Sequence, residues 1–265
     1  MTFNILHGRS PRDGRVEPRR LHDLIEAVRP DILALQEVDR WQQRSGDVDF
    51  TAVAAAAMEA RDSRFAATVL GARDAVWTAR TGAAQPKAAE YGIALLSTVP
   101  VAGWQVSRLP QLRAPVPVKS TVDGRYFLAR DEPRVAITAQ LGEPGSLAVT
   151  ATHLSFIPGW NALQLRRLVR AVSATAGPHI LLGDLNVSAG LACRTTGWRS
   201  LVEARTFPAD RPSRQLDHIL TNAELEAREG RTVAADLSDH LALVVDVTGN
   251  PALGPEHRGQ SVSVE

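Results

Sequence analysis

Cysteine is nearly missing from this sequence: Cys193 stands alone among 265 residues. That excludes an intrachain disulfide framework and a zinc site built from several thiolates. Lysine is almost as scarce, with Lys87 and Lys119 the only two among thirty basic residues. The arginine excess reads first as a compositional bias and only second as phosphate chemistry. Charge of one sign is also lacking, since thirty basic and twenty-nine acidic side chains leave +1. This argues against a protein that holds nucleic acid by bulk charge. No apolar run approaches the roughly 18 residues of a spanning helix. Met1 is followed at once by the strand-like Thr-Phe-Asn-Ile-Leu, with no basic flank of a leader. A soluble, cytoplasmic, monomeric protein without membrane insertion is the expectation.

What is present is enough apolar sequence for a proper core, 44% hydrophobic against 22% charged. Short runs rich in β-branched residues predict strands at Thr2–Leu6, Asp31–Val38, Gly92–Thr98, Arg134–Leu141, Ser146–Leu154, His179–Leu185, Leu216–Thr221 and Leu241–Val247. Helical spacing predicts helices at Pro18–Val28, Asp49–Ala60 and Ala162–Ala174. The first places Leu21, Leu24, Ile25 and Val28 on one face and stops before Pro30. Only a few residues around Gly142 and Gly145 separate two of the strands, too few for a crossover helix. Hairpins of this kind point to mixed sheets packed face to face, with helices outside, rather than one doubly wound parallel sheet. The expected organisation is a single domain over 1–248 and a mobile tail over 249–265, rich in Gly, Pro, Ser and charge.

The informative residues are polar ones at the ends of apolar strands: Asn4, Glu37, His153, Asp184, Asn186, Asp217, His218, Asp239 and His240. Singly, each has an ordinary explanation as a solvated strand end, a turn former or a hydrogen-bonded histidine. Gathered at one end of packed sheets, they make a cluster of carboxylates, amides and imidazoles on a rigid scaffold. Oxygen donors without thiolates suit a hard cation rather than zinc.

Their order adds more. Thr-Phe-Asn4-Ile, Leu-Gln-Glu37-Val, Tyr91-Gly-Ile-Ala-Leu-Leu-Ser97, Thr-His153-Leu, Gly-Asp184-Leu-Asn186, Leu-Asp217-His-Ile and Ser-Asp239-His240 resemble, in sequence, the signature blocks of the endonuclease/exonuclease/phosphatase superfamily with the deoxyribonuclease-I-like fold. The likeness extends from residue 2 to residue 247 and is similar to an uncharacterised bacterial subgroup. It implies a four-layered α/β sandwich, two mixed β-sheets packed face to face with helices outside. It further implies Glu37 as the main metal ligand, with Asn4 and Asp239 close to a Mg²⁺ or Mn²⁺ ion. His240 resembles the histidine that activates water or holds the phosphate, and Asp217 its orienting carboxylate. Asp184 and Asn186 resemble the pair that aligns the water and the phosphoryl oxygen, with either Asp184 or His240 as base. His153 resembles a phosphate-binding histidine on the leaving-group side, with Glu90 as its partner.

The function so implied is a divalent-metal-dependent phosphoesterase attacking a phosphodiester in line with water, a DNA or RNA nuclease first. The alternative is a phosphatase or phosphodiesterase acting on a lipid headgroup or another small phosphorylated molecule. A binding protein that has kept the fold and lost activity is disfavoured, because every block keeps its reactive residue. The sequence shows no amphipathic membrane helix or hydrophobic β-hairpin, which lowers the sphingomyelinase option. Leu6 stands where abasic-site enzymes carry an acid, and His218 where an aromatic residue is usual. Arg134 occupies a region where relatives often place a phosphate-contacting arginine, with a surface ion-pair arginine as an equal reading. The charged segment from Arg44 to Asp49 follows Glu37 closely and offers a substrate contact, though a solvated loop is the simpler reading. Trp160 and Trp198 read as residues capping a core rather than as base-stacking platforms.

Overall fold

The computed structural model describes residues 1–71, 78–79, 88–119, 124–143, 145–174 and 177–249. Lys87 and, apart from Gly249, the expected tail lie outside the described residues. In chain order the elements are β1 (Thr2–Asn4), α1 (Pro18–Val28), β2 (Ile32–Arg40), α2 (Phe50–Met58), β3 (Asp62–Leu70), β4 (Thr78–Ala79), β5 (Glu90–Ser97) and β6 (Val101–Arg108). There follow β7 (Val116–Lys119), β8 (Tyr126–Ala129), β9 (Val135–Leu141), β10 (Leu147–His153), α3 (Trp160–Val172), β11 (His179–Asp184) and α4 (Ala189–Thr196). The chain closes with β12 (Arg199–Ser200), β13 (Asp217–Thr221), β14 (Glu226–Val233) and β15 (Ala242–Thr248).

Two sheets result, one in the order β14-β15-β1-β2-β5-β3-β4 and the other β12-β13-β11-β10-β9-β6. Both are mixed. In each, one central pair is parallel, β1 with β2 and β10 with β11, among antiparallel neighbours. Side-chain alternation at period two explains the layers. Ile32 and Ala34 of β2 and Ile93 and Leu95 of β5 face inward, meeting Ile137, Val149, Leu182 and Ile219 of the second sheet. The intervening Leu33, Leu35, Ala94 and Leu96 point outward onto Leu21 and Ile25 of α1 and Phe50 and Ala54 of α2. On the far side, Leu181 and Leu220 pack on Leu165, Leu168 and Val169 of α3 and Ala192 of α4. The fold is therefore the expected four-layered α/β sandwich.

Local chemistry sets the helix ends. Pro18 opens α1, and Arg29 closes it in a left-handed conformation whose N–H returns to the Ile25 carbonyl. Asp49 caps α2 by accepting from Thr51 and Ala52 N–H, so that helix starts one residue later than the sequence suggests. Helix α3 starts at Trp160, two residues earlier, and the indole Nε1 donates to Asp131 at 2.9 Å. Trp198 is buried among the α3 and α4 side chains.

Sequence reasoning missed α4, a short helix of weak periodicity, the strand β3 beside the short edge strand β4, and the edge strands β6 and β14, which are largely exposed. It also missed the two-stranded ribbon of β7 and β8, which exposes Tyr126, Phe127 and Leu128. A hydrophobic hairpin is thus present, contrary to expectation. Its apolar run of three residues is too short to stand out by pattern.

Candidate active site

The catalytic candidates meet at one end of the two sheets, each carried there by the end of a strand. Asn4 ends β1, after which Leu6 and His7 turn the chain sharply with positive φ. Asp184 ends β11 and Asp217 begins the adjacent β13, directly opposite it in register. Gly183 is needed here: at φ 144° a Cβ would collide with the Thr152 carbonyl of the neighbouring strand. His153 ends β10 and pairs in register with Asp184.

Glu37 reaches the site by a different device. Leu35 pairs with Ala94 and Val38 with Gly92, so Gln36 and Glu37 together oppose one residue of β5. This β-bulge puts Glu37 at φ 56°, a conformation rare for a residue with a Cβ. The bulge re-aims the carboxylate into the cleft.

Asn4 links the sheets. Its Nδ2 donates to Glu37 Oε1 at 3.0 Å and to Asp184 Oδ2 at 3.1 Å, while its Oδ1 accepts the Leu6 N–H at 3.1 Å. Asp184 Oδ2 also lies 3.5 Å from His153 Nε2 and 3.8 Å from His240 Nε2. Asp184 Oδ1 accepts the Asn186 N–H at 3.0 Å. Asn186, itself at φ 52°, donates its amide to the Leu154 carbonyl at 3.1 Å and approaches His153 Nε2 at 3.4 Å.

His240 Nδ1 donates to Asp217 Oδ2 at 2.8 Å. The imidazole is placed by the Ser238 hydroxyl, which accepts the His240 N–H and donates to the Asn4 carbonyl, and by the Phe207 ring 4.9 Å away. Asp217 is fully buried and receives its backbone placement from Thr206 Oγ1. Ser238, Thr206 and Phe207 escaped sequence reasoning as site residues, because their loops carry no period and their contacts are long-range.

Burial governs the electrostatics. It opposes charge on His240, but the Asp217 carboxylate overrides it and raises the imidazole to about 10. Burial, and then the charge of Asp217, raises Asp184 to about 7. Burial also pushes Glu37 upward, with the Asn4 hydrogen bond opposing and Asp239 adding to the rise. His153 is driven well below the usual range by burial and by the Arg134 charge, so it is neutral.

Among the described residues two clusters of ligand atoms could hold a cation: His22, Asp23 and Glu26 on the outer face of α1, and Asp184, Asp217 and His240 at the strand ends. Ligand atoms of Asp184, Asp217 and His240 lie within 4.8 Å of one another. There the proton on His240 Nδ1 occupies Asp217 Oδ2, while Asp217 Oδ1 is buried without a hydrogen-bond partner. Glu37 and Asp239 offer oxygen donors as well: Glu37 is half-buried beside the Asn4 amide, and the charge of Asp239 acts on it. All-oxygen donors with mutual repulsion fit a hard divalent ion.

Around these groups is a cleft of about 420 Å³, walled by Arg44, Tyr91, Glu132 and Arg134 on the Glu37 side and by Phe207 and Arg214 on the His240 side. Phe156 stands at its mouth, 39% exposed. Asp239 is half-buried and lines an adjoining cavity with Pro11 and Pro208. Two residues singled out in the sequence fall elsewhere. Glu90 pairs with Arg40 at 3.4 Å, and the carboxylate beside His153 is that of Asp184. His218 is fully buried, with its Nε2 donating to the Val187 carbonyl at 2.9 Å, so it is a core group and not a rim one. Among the described residues no helix is long and apolar enough to cross a membrane.

Solved structures share the architecture. An endonuclease/exonuclease/phosphatase from Beutenbergia cavernae matches with TM-score 0.65 and 22% identity, over 93% of this chain and 70% of that one. A mannosyl-6-phosphatase from Bacteroides thetaiotaomicron gives TM-score 0.60 at 12% identity, over 94% and 98%. The human Nocturnin catalytic domain, solved with a sulfate anion, gives 0.56 at 19%, over 93% and 92%. At these identities the likeness establishes the fold. No curated protein matches the chain by sequence. The model of the Endonuclease/Exonuclease/phosphatase family matches residues 1–240, and the chain belongs to that family.

Proposed function

We propose that the protein is a divalent-metal-dependent phosphodiesterase, with the backbone of DNA or RNA as its first substrate class. Family members are hydrolases acting on phosphoester bonds, typically with a divalent metal. The observation that carries the reading is the convergence on Asp184 Oδ2 of Asn4, His153 and His240, within 3.1–3.8 Å. A carboxylate, a cationic imidazole and a neutral imidazole then face one small volume.

A Mg²⁺ or Mn²⁺ ion held by Glu37 and Asp239 would polarise the phosphoryl oxygen and offset charge that grows in the transition state. Asn4 holds Glu37 in place through its amide. Asp184, raised to about 7 by burial, has the basicity to take a proton from the attacking water at Oδ2 near neutral pH. His240 keeps its proton, because Asp217 stabilises the cation, and Nε2–H donates to a phosphoryl oxygen. Asn186 orients the Asp184 carboxylate through its own N–H and presents its amide beside His153. His153, neutral, serves the leaving-group side. No Ser or Cys nucleophile is required, which fits direct attack by water.

A second reading, hydrolysis of a small phosphorylated molecule, is favoured by the narrowness of the 420 Å³ cleft. A hydrolysis panel tests the two. Supercoiled plasmid, single-stranded DNA, RNA, sphingomyelin, inositol phosphates and sugar phosphates are each incubated with Mg²⁺, Mn²⁺ or EDTA, with Glu37→Ala as the contamination control. Metal-dependent nicking absent from the variant supports the nuclease. Turnover of small esters alone replaces it with the second reading.

A further inference from the structure

The cleft lining carries three guanidinium groups, Arg44, Arg134 and Arg214, beside the carboxylates of Glu37, Glu132 and Asp184. Resting on the phosphoesterase reading, we propose that Arg44 and Arg134 form a subsite for a second anionic group of the substrate, adjoining the one that is hydrolysed. In a polynucleotide this group is the neighbouring phosphate, and in a small molecule a second phosphate.

Three observations converge. Arg44 is held rigidly: Asp39, fully buried, accepts from its Nε at 2.8 Å and from its Nη2 at 2.6 Å. A bidentate pair of this kind costs desolvation and adds little net stability, but it fixes the direction of the guanidinium. The segment carrying it is braced as well, since Arg40 pairs with Asp49 at 2.8 Å and with Glu90 at 3.4 Å. The segment is thus not a solvated loop. It holds a cation over the Tyr91 ring, 5.4 Å from its centroid.

Arg134 supplies the second observation. It is 5% exposed, and its Nε has no hydrogen-bond partner. Its Nη2 lies 3.3 Å from Glu132. A buried guanidinium N–H without an acceptor is costly, and an anionic oxygen in the cleft would satisfy it.

The third is position. Arg44 follows Glu37 by seven residues, and the charges of both arginines and of Glu37 act on Tyr91. Both arginines line the cleft together with Tyr91 and Glu37, and Phe207, which packs on the His240 ring, lines it too. A substrate with its reacting phosphoryl group at Asp184 and His240 extends its second anion toward Arg44.

The test is equilibrium binding to the full chain in EDTA, by calorimetry. Thymidine 5′-phosphate is compared with thymidine 3′,5′-bisphosphate, which differ by one anionic group. Wild type is expected to prefer the bisphosphate at least tenfold. Asp39→Asn combined with Arg44→Gln, which leaves no unpaired buried charge, is expected to bring that ratio to about two or below. Arg44→Lys keeps a cation opposite Asp39 and loses the fork. It reduces the ratio at least threefold, and it decides the matter if the double variant fails to fold. A wild-type ratio near one, or a ratio unchanged in the folded variants, overturns the subsite. Selective binding by a protein that hydrolyses no ester in the panel upholds the subsite and sinks the catalytic reading, so the two failures are distinct.

Discussion

Asn4 and Asp184 stand 180 positions apart in the chain and on different sheets, yet the Asn4 amide donates to the Asp184 carboxylate at 3.1 Å. The same nitrogen donates to Glu37 at 3.0 Å. One short side chain thus sets the spacing between the carboxylate that offers itself to a metal and the one that faces water. Preorganisation of this sort matters because a displacement of about 1 Å at reacting groups costs on the order of 10² in rate. Asn4→Ala is expected to lower kcat by about 10²-fold while raising KM only modestly. Steady-state kinetics on the preferred ester checks this, and an unchanged kcat contradicts it.

The Asp217–His240 pair makes a spectroscopic prediction. Burial alone would lower the imidazole, and Asp217 is what holds it near 10. Asp217→Asn therefore moves the His240 titration downward by several units, to or below the ordinary value of about 6.5. Histidine side-chain NMR across pH 5–10 reads it directly. The same variant is expected to lose activity by about 10²-fold or more, since the cation is then absent at neutral pH.

Acid acts on the fold in two directions: protonation of the buried neutral histidines destabilises it, while Asp184 and Glu37, whose pKa values are raised on folding, oppose that loss. Burial lowers the pKa of His218 and of His153 below the value each has in the unfolded chain. At these two histidines the unfolded state then binds more protons below about pH 6.5, so their contribution to stability is full above that pH and falls as pH decreases toward the folded values. Each such group contributes up to about 1.4 kcal/mol per pH unit over its window. His218→Phe loses the hydrogen bond to Val187, about 1 kcal/mol at neutral pH, but flattens the acid slope. Denaturant melts at pH 7.5, 6 and 5 test it, and equal slopes for both proteins contradict it.

Two glycines with positive φ separate backbone strain from steric collision. Gly183→Ala must push against the Thr152 carbonyl between β10 and β11, and is expected to cost more than about 3 kcal/mol. Gly46→Ala, at φ 71° with open space around it, is expected to cost about 1 kcal/mol. Chemical denaturation distinguishes the two.

Much of the sandwich is legible in the sequence where patterns are regular. Helix α1 is written in Leu21, Leu24 and Ile25 and in the proline at each end, and the central strands in runs such as His179–Asp184. The site residues are legible because polar side chains interrupt or end those apolar strands. Other features are set by non-local contacts and have no local signature. The bulge that turns Glu37 into the cleft depends on how β2 pairs with β5. Glu90 reads as a partner for His153 until the fold sets it against Arg40. Arg44 reads as a loop residue because its anchor, Asp39, is recognisable only once β2 is known to be buried.

The most direct measurement is hydrolysis of bis-p-nitrophenyl phosphate by wild type and Glu37→Gln, titrated with Mg²⁺ and Mn²⁺ and quenched with EDTA. Glu37 is half-buried and has its pKa raised, chiefly by desolvation, so the neutral variant should fold at least as stably as wild type without metal. The expected result is metal-dependent turnover in wild type and a loss of more than about 10²-fold in the variant. Turnover that persists in EDTA, or that survives in Glu37→Gln, would contradict the account.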